Sequence, residues 1–180
     1  MQLKSTLGKL DSKSTILVIT PSANTQKTVR SAVKFLSRKR GSKGLYLVLN
    51  KPAERVKGDL EKQKINTKDI FFIDTLSASM GGEIGWKGPI LYISNPADIT
   101  EIGIAISNFI AKHKGKKWIL VDSLITLKLY TTEDMLAKFA QTLTLKAGGD
   151  VQLVMITTKI KGDTLTNKII PFFDEIVTVE

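Results

Sequence analysis

Cysteine is absent from the 180-residue sequence, and histidine occurs once. The lack of cysteine excludes disulfides, thiolate nucleophiles and cysteine-based metal sites, and it is typical of a protein in a reducing compartment. The single histidine excludes zinc centres built from several imidazoles and nearly all catalytic triads. Because His113 lies between two lysines and is followed by Gly115, it is typical of an exposed helix end.

Long hydrophobic runs are missing as well. No apolar stretch reaches the roughly 18 residues that a membrane-spanning helix requires. The first five residues are followed by polar residues, whereas a secretory signal has an apolar segment there. We therefore expect a cytoplasmic protein with no signal peptide and no contact with membranes.

Acidic residues are scarce in the first third of the chain. Residues 1–68 hold 16 basic and 4 acidic side chains, residues 69–180 hold 11 and 13, and the formal net charge of the whole chain is +10. Such an asymmetry indicates an anionic partner. Nucleic acid, nucleotide phosphates and an acidic protein surface all remain open, and a lysine-rich solubilising surface explains the same composition.

Length and composition predict one compact domain. The chain has 42% hydrophobic and 24% charged residues, values close to the globular average, and its length falls within the usual range of a single domain. No linker, internal repeat or low-complexity tract interrupts it. We expect a single domain over residues 1–180, with residues 1–14 as an N-terminal extension.

Short apolar runs alternate with amphipathic segments along the chain. Runs bounded by turn residues predict strands at residues 15–20, 44–50, 70–74, 89–94, 117–123, 151–157 and 175–179. Apolar residues at helical spacing predict helices at residues 29–36, 53–64, 97–114 and 131–147. This alternation implies right-handed crossovers, so we expect an α/β fold, a three-layer α/β/α sandwich around a mainly parallel sheet.

Ligands of such sheets bind at the carboxyl ends of the strands, and the loop after the first strand carries half of a phosphate-binding motif. The P-loop pattern is G-x-x-x-x-G-K-[ST]. This sequence keeps Lys27 and Thr28 but has Pro21 and Gln26 in place of the two glycines. Glycine lets the backbone turn its N–H groups around a phosphate. We therefore expect no tight ATP binding in the ordinary pose, while the helix N-terminus with Lys27 remains able to hold a looser anion.

An apolar strand that ends in a carboxylate supports the same comparison. Residues 118–121 lead into Asp122, which is the Walker B arrangement of a Mg²⁺ ligand at a strand tip. In P-loop proteins the hydroxyl of the motif's Ser or Thr takes another position around the metal, and here that residue is Thr28. The sequence therefore predicts Thr28 and Asp122 as candidate Mg²⁺ ligands.

The order of these blocks resembles the RecA/KaiC-like branch of the P-loop ATPases, especially small archaeal KaiC-like proteins. The resemblance covers nearly everything from residue 15 to residue 180. It is carried by residues 26–28, 44–52, 71–74, 118–124 with Tyr130, and 151–158. It implies a core sheet with strand order 5-1-4-3-2 and extra strands at the C-terminal end.

The resemblance also implies roles for individual residues. Lys27 would contact phosphates, with Thr25 and Gln26 beside it in the nucleotide-binding loop. Thr157 or Thr158 would lie where members of this family sense the terminal phosphate. ATP and Mg²⁺ would be the ligands.

One departure from the family pattern concerns catalysis. In active relatives the strand that matches residues 45–49 ends in a glutamate that orients the attacking water, whereas this sequence has Asn50 and Lys51 there. Asparagine hydrogen-bonds a water but cannot accept its proton. Glu54 is a weak substitute because its ordinary role is to stabilise the first turn of a helix. We interpret the chain as a degenerate ATPase domain without hydrolytic activity.

Three functions are compatible with this interpretation. The first, which the sequence favours, is a regulatory or assembly module that pairs with itself or with a RecA-like partner. The second is a nucleic-acid-binding protein that uses the basic first third, centred on Arg38, Lys39, Arg40 and Lys43. The third is residual Mg-ATP binding or weak ATP hydrolysis through Lys27, Thr28 and Asp122.

Three further features are less specific. The glycine-rich residues 81–86 are either an assembly loop anchored by Trp86 or a plain surface connection. Residues 165–173 predict the last layer of the core. Asp74 follows a strand, so it either reaches the site or caps the next turn, which is the commoner use.

Overall fold

The computed structural model describes residues 15–179. The expectation of an N-terminal extension over residues 1–14, and of the absence of a signal peptide there, lies outside the described residues.

Eight strands of the described chain form one sheet. They are β1 (Thr15–Pro21), β2 (Lys43–Val48), β3 (Ile70–Asp74), β4 (Gly85–Lys87), β5 (Ile90–Tyr92), β6 (Lys117–Val121), β7 (Val151–Lys159) and β8 (Glu175–Thr178). The strands are arranged in the order β4-β5-β3-β2-β6-β7-β1-β8. All neighbours pair in parallel except β4 and β5, which are antiparallel. A mainly parallel α/β sheet is therefore confirmed.

Helices connect the strands, and their starts follow from the local sequence. They are α1 (Thr25–Leu36), α2 (Ala53–Lys62), α3 (Ile99–Lys112), α4 (Glu133–Lys146) and the short α5 (Leu165–Ile169). Asp98 caps α3 by accepting a hydrogen bond from the backbone N–H of Glu101 at 2.8 Å. Thr132 caps α4 in the same way, through the N–H of Met135 at 3.3 Å. Both caps use the side-chain oxygens that helix starts prefer.

The two faces of the sheet pack against different helices. Along β7, Val154 and Ile156 belong to the cluster that includes the buried faces of α1 and α2, whereas Leu153 and Met155 belong to the cluster with α3, α4 and α5. Successive strand residues alternate between the faces with a period of two. The described chain is therefore layered helix, sheet, helix, and every strand residue can be assigned to one side.

The strand order differs from the predicted 5-1-4-3-2 with extra C-terminal strands. β3, β4 and β5 come from the middle of the chain, between β2 and β6, and they extend the sheet beyond β2. Of the strands after β7, the described residues hold β8, which lies beside β1. The sequence predicted strands at residues 70–74 and 89–94 but not their place at this edge of the sheet, because strand pairing is decided by contacts between residues far apart in sequence.

Several boundaries also differ from the prediction. β4 lies in the glycine-rich segment that was predicted to be a loop, and its three residues are too few to show an alternating pattern. β7 continues to Lys159, two residues beyond the predicted end. Residues 165–173 are core as expected, because Leu165, Ile169 and Phe173 are buried.

Candidate functional site at the carboxyl ends of the strands

A cavity of about 510 Å³ opens at the carboxyl ends of β2, β6 and β7. It lies on the α1 and α2 side of the sheet, since Val29 of α1 and Leu60 of α2 line it. Further apolar lining comes from Val56, Ile125 and Ile160. Its volume falls in the range of small-molecule sites, which combine apolar walls with a few convergent polar groups.

The polar groups of the cavity are joined into a chain of hydrogen bonds. The Tyr46 hydroxyl donates to Oδ2 of Asp122 at 2.8 Å, and the Asn50 amide donates to Oδ1 at 3.5 Å. The Thr126 hydroxyl in turn donates to Oδ1 of Asn50 at 2.6 Å. Tyr46 and Asp122 meet because both side chains point to the α1 and α2 side of neighbouring strands. Both Asp122 oxygens are therefore engaged within the protein.

Burial is the main cause of the raised pKa values of Asp122 and Tyr46. Removal of Asp122 from water raises the pKa of its carboxyl group, and the hydrogen bonds from Tyr46 and Asn50 and the charge of Lys51 oppose that rise. Burial and then the Asp122 charge raise the pKa of Tyr46 well above 10.0. The tyrosine therefore stays protonated and acts as a fixed donor to Asp122.

Ser123 follows Asp122 in a backbone conformation that non-glycine residues rarely adopt. Its φ of 57° and ψ of 74° lie in the left-handed region, which is costly for a residue with a Cβ atom. Its hydroxyl lies 3.4 Å from that of Thr158, which lies 3.3 Å from that of Thr25. Strain of this kind concentrates at functional sites, and the three hydroxyls form one rim of the cavity.

The connection from β1 to α1 is one tight turn. β1 ends at Pro21, residues Ser22–Asn24 form a single 3₁₀ turn, and α1 begins at Thr25. No residue from 21 to 28 has a left-handed backbone, since Lys64 and Ser123 are the non-glycine residues of residues 15–179 with positive φ. A phosphate nest needs successive N–H groups turned to one side by alternating right- and left-handed residues. This turn does not provide such a nest.

The predicted nucleotide-binding residues separate into two groups. Thr25 and Gln26 line the cavity. Lys27 does not, and it lines a smaller cavity of about 230 Å³ on the outer side of α1. Thr28 lies on the buried side of α1, and its hydroxyl lies 3.0 Å from that of Thr20 in β1. Lys27 and Thr28, the two residues that match the P-loop motif, therefore do not line the larger cavity.

Thr157 and Thr158 lie on opposite sides of the sheet. Thr158 continues the series of Val154 and Ile156 and lines the cavity. Thr157 lies on the α3 and α4 side, is fully buried, and its hydroxyl has no hydrogen-bond partner within residues 15–179. Of the two threonines considered as phosphate sensors, Thr158 is the one that a ligand in the cavity would contact.

Thr28 and Asp122 are both hydrogen-bonded within the protein. The Thr28 hydroxyl lies 3.0 Å from that of Thr20, and Asp122 accepts hydrogen bonds from Tyr46 and Asn50. Residues 15–179 contain no group of three or more His, Cys, Asp or Glu side chains placed to hold a metal ion, but Mg²⁺ usually takes one or two carboxylates with phosphates and waters. The assignment of Mg²⁺ to Thr28 and Asp122 stays a prediction.

Two other carboxylates considered from the sequence lie outside the cavity lining. Glu54 lies beside Tyr92. The pKa of Tyr92 is raised mainly by the burial of Tyr92 itself, and the negative charge of Glu54 is the second cause. Asp74 is completely buried and accepts the backbone N–H groups of Ala53, Leu76 and Ser77 at 2.7 to 2.9 Å. Asp74 therefore holds the start of α2 and caps the next turn.

The predicted basic residues lie at the opposite end of the strands from the cavity, near the amino ends of β2 and β7. Arg38, Lys39 and Arg40 follow the C-terminal end of α1, and Lys43 begins β2. Lys39 donates to Gln152 and its ammonium group lies 5.4 Å from the Phe35 ring centroid. Lys43 forms an ion pair with Asp69. This cluster is separate from the cavity at the carboxyl ends.

Sequence reasoning missed Tyr46, Ser123 and Thr126 as site residues. Tyr46 lies in the middle of an apolar strand predicted over residues 44–50, and it is buried. Its polar tip is recognisable only once Asp122 is known to lie on the neighbouring strand and the same face. Ser123 carried no sequence signal, because serine does not mark a left-handed position as glycine does.

Three solved structures from Pyrococcus horikoshii share this fold. The KaiC-like protein PH0186 is 10% identical with a TM-score of 0.66, and the match covers 92% of this chain and 70% of that chain. PH0321, an uncharacterized protein solved with an unknown peptide, is 11% identical with a TM-score of 0.69 over 99% and 82%. PH0250 is 10% identical with a TM-score of 0.62 over 100% and 88%. The likeness to these structures supports a KaiC/RecA-like α/β fold.

The chain belongs to DUF7090, a family of unknown function whose model matches residues 1–180. No curated protein matches the sequence. Among the described residues, no helix has the length and hydropathy needed to cross a bilayer.

Proposed function

We propose that this chain is a RecA/KaiC-like domain that does not hydrolyse ATP and that acts as a regulatory or assembly module through its surfaces. The observation that carries the proposal is the single 3₁₀ turn between β1 and α1, which has no left-handed residue and begins behind a proline without an N–H. ATP hydrolysis in this class depends on a backbone cradle for the phosphates. The tight turn between β1 and α1 offers the backbone N–H groups at the start of one helix, and it does not form a cradle for phosphates.

The surroundings of the turn support the same conclusion. The Thr28 hydroxyl faces Thr20, and Asp122 is held by Tyr46 and Asn50, so neither is directed at a metal. The residue after β2 that would orient a water is Asn50, which also accepts from Thr126. An amide has no basic site to take up a proton.

Exposed apolar side chains support an assembly role. Met80, Ile84 and Trp86 lie on the segment that contains β4, and they are 81%, 68% and 57% exposed. The Trp86 ring contacts Phe71 edge-on, with centroids 6.2 Å apart, and leaves more than half of its surface to solvent. Clustered exposed apolar residues usually mark a contact with another protein. A second copy of the chain or a RecA-like protein would fit this surface.

Calorimetric titration with Mg-ATP, with phosphate release followed in the same sample, tests the lost ATPase. We expect no saturable heat up to about 1 mM nucleotide, which corresponds to less than about 4 kcal/mol of binding free energy, and no turnover. Saturable binding that requires Mg²⁺ and is lost in Lys27→Ala and Thr28→Val would contradict the proposal. Lys138→Ala is the matched control, because Lys138 is an exposed lysine on α4 that lines neither the large cavity nor the cavity beside Lys27.

A further inference from the structure

The outer side of α1 carries a row of cations. Lys27, Arg30 and Lys34 are three and four residues apart, so they lie on one side of the helix. α1 contains no acidic residue, and no carboxylate of the described residues forms an ion pair with these three side chains. Like charges at this spacing repel one another. An anionic partner would relieve that repulsion.

A groove runs beside this row, between α1 and the end of α2. The cavity of about 230 Å³ there is lined by the three cations and by Ser31, Gln63 and Ile65, and no carboxylate lines it. Its polar groups are therefore cations, a hydroxyl and an amide. This set suits phosphate oxygens, which accept hydrogen bonds from all three kinds of donor.

The groove adjoins the 510 Å³ cavity at the carboxyl ends of the strands. Arg30 and Gln63 line both cavities. The lining of the larger cavity combines the apolar side chains of Val29, Val56 and Leu60 with polar groups, which are the amides of Gln26 and Asn50 and the carboxyl groups of Asp59 and Asp122. Walls of this kind suit a flat ring whose edge carries donors and acceptors, as nucleic-acid bases do.

We propose that the α1–α2 groove binds single-stranded nucleic acid, with backbone phosphates on Lys27, Arg30 and Lys34 and one unpaired base in the adjoining cavity. This goes beyond the proposed function and does not rest on it. Lys27, Arg30 and Lys34 lie along one side of α1. The basic residues Arg38, Lys39 and Arg40, which were predicted from the sequence, follow the C-terminal end of this helix.

The spread of the cations favours a polymer over a free phosphate. Lys27 and Lys34 are seven residues apart, which is about 10 Å along the helix, so the row is longer than one phosphate group. A strand with successive phosphates can contact both ends of the row. The cavity favours a single strand, because the bases of a duplex are stacked and paired and one of them would have to be extruded to enter it.

Fluorescence anisotropy with a labelled single-stranded DNA of about 15 nucleotides, without Mg²⁺ or ATP, tests the proposal. We expect the logarithm of affinity to fall with the logarithm of salt concentration with a slope of about −2, as for three phosphate contacts on a single strand. The triple variant Lys27→Gln, Arg30→Gln, Lys34→Gln should lose about tenfold in affinity and most of that slope. The duplex and an abasic strand should bind more weakly than the intact strand.

The matched control is Lys112→Gln, Lys114→Gln, Lys146→Gln, which removes the same charge from exposed lysines that line neither cavity. Equal loss in the two triple variants would show that net charge alone attracts the strand, and it would overturn the proposal. Equal binding of duplex, abasic and intact strands would overturn the assignment of a base to the cavity. Displacement of the strand by micromolar pyrophosphate would show a small-anion site and would likewise overturn it.

Discussion

At the scale of single residues, Asp122 shows how the site depends on neighbours that are distant in sequence. Asp122 receives its hydrogen bond from Tyr46, 76 positions away in the chain. The tyrosine supplies a hydrogen bond where a Walker B carboxylate would otherwise face a metal. Burial raises the pKa of this carboxyl group more than the hydrogen bonds from Tyr46 and Asn50 and the charge of Lys51 lower it, and this has a measurable consequence.

The pH dependence of stability should report Asp122. Burial raises its pKa above the ordinary 3.8, so above about pH 3.8 the folded state retains a proton that the unfolded state has lost. The stabilisation from this group is complete below that pH and is lost as pH rises through the folded-state pKa. We therefore expect Asp122→Asn, which does not titrate, to gain stability relative to the natural chain as pH rises above about 3.8.

Urea unfolding of both proteins at several pH values measures this difference. Tyr46→Phe is the informative companion variant, because it removes a hydrogen bond that lowers the pKa of Asp122. The change in stability should then extend to higher pH. A stability difference between Asp122→Asn and the natural chain that does not vary with pH would show that the buried carboxylate is not raised in pKa.

At the scale of elements, the start of β2 is set by a close approach of two strands. Gly44 in β2 pairs with Trp118 in β6, and a Cβ atom on Gly44 would lie 2.0 Å from Cζ2 of that indole. Trp118 is almost completely buried in the α1 and α2 cluster. The glycine is therefore required by packing, since its φ is not in the left-handed region.

Gly44→Ala should destabilise the protein by about 1 to 3 kcal/mol, the usual cost of overpacking a core. Gly58→Ala is the matched control, because Gly58 lies within α2 and a Cβ atom there meets nothing within 4 Å. In the interior of a helix, alanine is favoured over glycine by about 0.5 to 1 kcal/mol. Equilibrium unfolding in urea should thus give changes of opposite sign, and equal changes would contradict the packing interpretation.

At the scale of the whole molecule, charge and apolar surface are distributed to different regions. The row of cations lies on α1. Met80, Ile84 and Trp86 lie on the segment around β4, which is one edge strand of the sheet, and β8 is the other edge strand. Separate surfaces allow an assembly contact and an anionic partner to be engaged together. This arrangement suits a module whose work is done by binding.

Self-association should depend on the β4 segment. We expect sedimentation velocity to show an oligomer that weakens in Ile84→Ser and Trp86→Ser, because each removes apolar area from the contact, at about 25 cal/mol per Å² buried. Leu145→Ser is the control, since Leu145 is 81% exposed on α4. If the natural chain sediments as a monomer at all concentrations, the β4 segment does not mediate self-association. Its partner would then be a different protein.

Much of the fold could be predicted from the sequence. The runs around residues 15–20 and 151–157 predicted buried strands, and the spacing of Ile102, Ile106 and Phe109 predicted the buried side of α3. β4 could not be predicted, because three residues carry no period. The cavity could be located only in part. Asp122 and Gln26 were found from motif spacing, whereas Tyr46 was hidden in a strand of apolar residues.

The sequence by itself determined the alternation of strands and helices, and hence the α/β class and the position of the candidate site at the carboxyl ends of strands. It also determined the excess of cations within residues 1–68. Only the tertiary structure decided the order of the strands, the separation of Lys27 from the cavity, and which of Thr157 and Thr158 lines it. The reason is physical: local periodicity decides which residues share one side of an element, while long-range pairing decides what that side contacts.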